Sequence, residues 1–149
     1  MGNTLMGDDG VGVRVAEALL SRDLGPDVAV VSGGTAGMAL SHHFRDADRV
    51  LVVDAIAAGD TPGSVFRFTP EDAGITELRS HTSHGLSLPN IMLAARLQGA
   101  APDVVIYAIQ IGDITCGFDA LTPEVEAAIP YVAEMVVAEA RALALAPDA

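Results

Sequence analysis

The chain has 149 residues, half of them hydrophobic, with 20 acidic side chains against eight basic ones and a formal charge of -12. That is enough chain and apolar content for one domain with a real core, so residues 1–149 read as a single domain. The acidic balance argues against nucleic acid or an anionic membrane as partner, no apolar run approaches the ~20 residues that span a bilayer, and no basic stretch followed by an apolar one marks a secretory leader.

The first segment, MGNTLMGDDGVGV, sets Asp8 and Asp9 among glycines immediately before an amphipathic run. From Val11 to Leu20 apolar residues recur at helical spacing (Val11, Val15, Ala18, Leu19), with Arg14 and Glu17 on the other side, so this stretch is expected to be a helix. Val28–Val31 is a short strand candidate. GGTAG, residues 33–37, reads as a turn, with a helix over Met38–Phe44 after it. Residues 49–54, RVLVVD, are β-branched and apolar and end in a carboxylate, the pattern of a buried strand. Residues 59–63 form a turn, and Ser64–Phe68 alternates like an edge strand. A helix is expected from Ser87, a plausible N-cap, to about Gln98, with Pro89 harmless in its first turn and Gly99 as its stop. Val104–Ile111 is a further buried strand. Thr122-Pro123-Glu124 opens a helix with proline at the first helical position. Pro130 is expected to break or kink it, with a second helix from Tyr131 to about Leu145. Strands alternating with helices predict an α/β layer sandwich on a mostly parallel sheet.

In such sheets ligands gather at the carboxyl ends of the strands. Three polar features are candidates for that edge: Asp8-Asp9, Asp54, and the histidines of His81-Thr-Ser-His84. Two carboxylates and an imidazole make an oxygen and nitrogen set that suits a borderline divalent ion such as nickel or zinc. Each piece has a plainer reading. An aspartate before a helix is usually a cap, stabilising by ~1 kcal/mol. Asp54 divides evenly between accepting a loop amide and ligating a metal. His42 and His43 suit a helix surface. The lone cysteine, Cys116, fits a reducing cytoplasm and is more often incidental than a nucleophile. A phosphate loop is rejected, because GNTLMGDDG lacks the GxGxxG and GK[ST] signatures and puts two negative charges where phosphate would sit. No GxSxG or HExxH motif is present.

GNTLMGDDGVGVRVAEAL, GGTAGMAL, VLVVDAI followed by GDTPGSVF, TSHGLSL and LTPEVEAAI stand in the order and spacing of a known family. From Gly2 to about Ile129 the chain resembles the hydrogenase maturation proteases. These are cytoplasmic endopeptidases that trim the C-terminal tail from the large subunit of nickel-iron hydrogenase. The resemblance implies a three-layer fold, a twisted, mostly parallel sheet flanked by helices. It implies Asp9, with Asp8 as its neighbour, Asp54 and His84, rather than His81, as the metal-binding and catalytic set. The turn Gly33, Gly34, Thr35, Ala36, Gly37 is implied to help engage substrate. The nickel is implied to arrive with the large-subunit precursor rather than to be held by the free enzyme. It would serve as tether and as Lewis acid on the scissile carbonyl, with water as attacker.

Family members begin with an apolar strand leading into the GN turn, whereas this chain starts at Met1-Gly2-Asn3. The expectation is a native chain that starts further upstream, the alternative being a destabilised product. Two other functions stay open at this stage: a non-catalytic nickel-binding maturation chaperone, and an unrelated α/β hydrolase with its own metal.

Overall fold

The computed structural model describes residues 1–74, 88–112, 114–115, 117 and 120–144. His81, His84, Ser87, Cys116 and Leu145 lie outside the described residues. The elements in chain order are α1 (Val11–Leu20), α2 (Ser41–Arg45), β1 (Arg49–Ile56), β2 (Val65–Phe68), α3 (Leu88–Leu97), β3 (Asp103–Gln110) and α4 (Pro123–Ala144). Tighter 3-10 turns, Gly7–Gly10 and Gly37–Leu40, lead into α1 and α2.

The described sheet has the order β1-β3-β2. β1 and β3 run parallel in a register that sets Arg49 beside Asp103 and Asp54 beside Ala108. β2 runs antiparallel to β3 as the edge strand expected over Ser64–Phe68, so the sheet is mixed. Side chains alternate across β3. Val105, Tyr107 and Ile109 pack on one face with Val11 and Val15 of α1 and Val125, Val132 and Val136 of α4. Val104, Ile106 and Ala108 pack on the other with Phe44 of α2 and Ile91 and Ala95 of α3. Burial on both faces explains why β3 reads as an unbroken apolar run. The result is the expected three-layer α/β arrangement.

Two expectations give way. Val28–Val31 forms no strand. Val28 and Val30 pack against the α1/α4 core, and Ala29 and Val31 are exposed, so the alternation is strand-like. A strand also needs a hydrogen-bonded neighbour, and β1, the sheet edge, has β3 as its ladder partner. The Met1 ammonium donates to the Val53 carbonyl of β1, and the Gly2 amide donates to Gly34 O at 3.1 Å. The second is Pro130, which lies inside one continuous helix, with no new helix at Tyr131. Its ring removes one backbone donor, but Glu126 and Pro130 are exposed, so the carbonyl it frees can meet water. Val125, Ala128, Val132 and Ala133 anchor the helix on both sides of it. At the other end of the molecule, α3 stops as expected. Gly99 adopts φ +86° and donates to Arg96 O at 2.9 Å.

A polar knot ties α4 to the sheet. Arg67 of β2 donates from Nε and Nη2 to the two oxygens of Glu139, at 2.9 and 2.5 Å, and the Tyr107 hydroxyl donates to the same carboxylate. The Arg67 guanidinium holds Glu139 below the usual carboxylate range, while burial and then the bond to Glu139 push Tyr107 up to about 12. A carboxyl depressed in the fold stabilises it above its unfolded pKa and loses that contribution as pH falls. Glu139→Gln is therefore expected to lower stability by about 1–2 kcal/mol at pH 7. In denaturant melts the difference from wild type should shrink as pH falls below the ordinary carboxylate range, where the wild-type carboxylate protonates.

Candidate active site

The first turn is built by close backbone approach. The Asn3 amide donates to the carboxylate of Asp9 at 3.0 Å and to its carbonyl at 3.1 Å. The Asn3 side chain accepts from the Leu5 amide at 3.0 Å. A Cβ at Gly2, where φ is +134°, would sit 2.0 Å from the Asp9 carbonyl oxygen, so only glycine fits. Gly12 serves the same end inside α1, since a Cβ there would come within 2.4 Å of Val53 O. The GN pair and Gly12 thus let the acidic turn press against β1.

The two adjacent aspartates separate completely. Asp8 is fully buried, with 0% exposure. Its carboxylate accepts from the Gly112 amide at 2.8 Å, the Thr122 amide at 2.6 Å and the Thr122 hydroxyl at 2.9 Å. It therefore ties to the start of α4, and α1 has no side-chain cap, so the reading of Asp8 as a cap of the helix it precedes gives way. Asp9 is half-buried on the turn.

Asp54 lies near the end of β1, half-buried, and accepts from the Ala55 amide at 3.0 Å. Burial raises its pKa above the ordinary value, opposed by the Met1 ammonium and the Ala55 amide and reinforced by the charge of Asp9. Burial lowers the pKa of the Met1 amine, while the charges of Asp54 and then Asp9 raise it. Asp9 and Asp54, far apart in the chain, thus sit within electrostatic reach of each other. The turn at 33–37 is brought beside them by the Gly2–Gly34 bond. Among the described residues no three histidine, cysteine, aspartate or glutamate side chains form a metal-sized group. The third expected donor, His84, lies outside them.

Gln110 was not singled out in the sequence. It is 4% exposed, and its Oε1 accepts from the Ala58 and Asp60 amides at 2.9 and 3.3 Å while its Nε2 donates to Ile111 O at 2.8 Å. It pins the loop that leaves β1 just after Asp54. The available signal was a lone amide at the end of an otherwise apolar strand.

A polar cleft of about 280 Å³ opens elsewhere, lined by Arg49, Arg67, Arg96, Asp103 and Glu139 among others. It lies at the amino ends of β1 and β3. At roughly 3.3 Å per residue, the five steps from Arg49 to Asp54 put it roughly 16 Å from the acidic edge. No helix of the described residues is long and apolar enough to cross a membrane.

Comparison with known proteins extends this geometry. A family model described as hydrogenase maturation protease matches residues 13–139. The hydrogenase 2 maturation protease of Escherichia coli strain K12 is 33% identical over 143 residues, covering 95% of this chain and 87% of that one. The solved structure of the hydrogenase maturating endopeptidase HybD from E. coli is similar with a TM-score of 0.82 at 32% identity, covering 94% of this chain and 88% of that chain. The [NiFe] hydrogenase maturation protease HycI from Thermococcus kodakarensis KOD1 is similar with a TM-score of 0.79 at 26% identity, over 94% of this chain and 88% of that chain. The α/β fold is shared with these proteases, and the chain is a peptide-bond hydrolase of their class. The chain belongs to the hydrogenase maturation protease family.

The raised pKa of Asp54 fixes the sign of a stability effect. An acid whose pKa is raised in the fold contributes stability below its unfolded pKa and loses it as pH rises through the folded one. Above the ordinary carboxylate range the desolvated Asp54 carboxyl is thus a net cost. Asp54→Asn is expected to raise the unfolding midpoint at pH 7 by about 2–5 °C, with the gain fading toward pH 4. Thermal melts at the two pH values check this, and a lowered midpoint at pH 7 would contradict it.

Proposed function

We propose that this protease removes the C-terminal extension of a nickel-iron hydrogenase large-subunit precursor after recognising the nickel already inserted in it. What supports the reading is that the charge of Asp9 acts on the carboxyl of Asp54 near the end of β1, in a chain of the maturation protease family. His84 is the third donor. The nickel belongs to the substrate, so metal insertion gates cleavage.

Two carboxylates and one imidazole complete the coordination of a nickel held by the precursor. The grip fixes the scissile bond beside the acidic turn, and the turn at 33–37 supports the extended tail. Water attacks the carbonyl carbon and forms the new C–O bond. A carboxylate, Asp9 or Asp54, takes the water's proton. The C–N bond then breaks and the proton passes to the leaving amine. We place the reaction in the cytoplasm, in keeping with the single cysteine.

Incubation with nickel-loaded and metal-free precursor, followed by intact-mass measurement, tests the gating. Tail loss is expected from the loaded form alone; equal cleavage of both, or of neither, contradicts the reading. In the same assay His84→Ala and Asp54→Ala should lower processing by at least about 100-fold. His81→Ala should stay within a fewfold of wild type. Equal losses at both histidines would overturn the choice of His84.

A further inference from the structure

We propose that Asp8 is a positioning residue, which locks the turn carrying Asp9 onto the end of β3 and the start of α4. This rests on the reading of Asp9 as a ligand to the precursor's nickel. Three pieces of chain meet at the one carboxylate. The turn Gly7–Gly10 supplies Asp8 itself. Gly112, just past β3, donates its amide, and Thr122, the residue before α4, donates both amide and hydroxyl.

A carboxylate with no exposure is tolerated only when its lone pairs are met by well-placed donors. Here they are met from two segments more than a hundred residues away in the chain. The amino end of α4 adds its dipole to the same negative group. The turn is locked a second time on the far side of Asp9, where the Asn3 amide donates to the Asp9 carboxylate at 3.0 Å and the Asp9 amide donates to Met6 O at 3.2 Å. Gly112 also stands close, since a Cβ there would lie 3.4 Å from the Asp8 carboxylate. Movement of Asp8 therefore moves Asp9, while Asp8 itself is sealed from substrate.

Nickel-loaded precursor processing by the full-length protein tests this with four variants. Asp8→Asn keeps size but turns an amide NH₂ toward donors, and should lower kcat/KM by about 10–100-fold. Thr122→Val removes the hydroxyl donor and keeps the amide, with an expected loss of about 3–10-fold. Thr122→Ser keeps both donors and should restore near wild-type processing. Val132→Ala, a core change in α4, is the control for stability loss alone and should process at the wild-type rate at a temperature well below its midpoint. The proposal is overturned if folded Asp8→Asn processes normally or loses no more than Val132→Ala. Should Asp8→Asn not fold, the threonine pair decides: loss in Val but not Ser supports the proposal, and any other pattern overturns it. Asp9→Ala serves as the separate arm, because wild-type processing by that variant removes the nickel-ligand reading itself.

Discussion

A charged group sealed inside a protein constrains everything around it, and here that group is the carboxylate of Asp8. Its desolvation would cost several kcal/mol without partners. The Gly112 amide and the amide and hydroxyl of Thr122 meet that demand. The first turn, the exit from β3 and the entry to α4 are thereby joined at one point. Asp9 differs from Asp8 by one position and by its access to solvent. Adjacent residues of one type carry different roles because the turn aims one inward and leaves the other at the edge.

The rest of the scaffold presents that edge. The parallel pairing of β1 and β3 brings Asp54 to the same end of the sheet as the turn. Gln110 holds the loop beyond it, and Gly2 and Gly12 permit the backbone approach that sets Asp9 within electrostatic reach of Asp54. Burial there raises the pKa of Asp54 above the ordinary value. The opposite end is differently built, with arginine–carboxylate pairs such as Arg49–Asp103 and Arg67–Glu139 closing the sheet and α4.

Much of this was legible in the chain because local chemistry and tertiary context agree. The β-branched run before Asp54 is a strand wherever it is buried, and the Gly99 stop needs only a left-handed residue after a helix. The motif string carried the family. Other features depended on distant partners. Val28–Val31 has the composition of a strand but no ladder. Pro130 is harmless because the carbonyl it frees is on the outer face of a helix anchored at both ends. Nothing local distinguishes Asp8 from Asp9, since the donors that bury Asp8 come from Gly112 and Thr122. Gln110 reads as a strand end until the loop amides that it accepts are seen.

The central claim is that Asp9, Asp54 and His84 close around the nickel that the precursor brings. X-ray absorption at the nickel edge, on a complex of nickel-loaded precursor with the protease trapped before cleavage, reads that shell directly. The account predicts oxygen and nitrogen scatterers that are absent from free precursor, with fewer oxygens when Asp9 or Asp54 is alanine. A nickel shell unchanged on complex formation would contradict it.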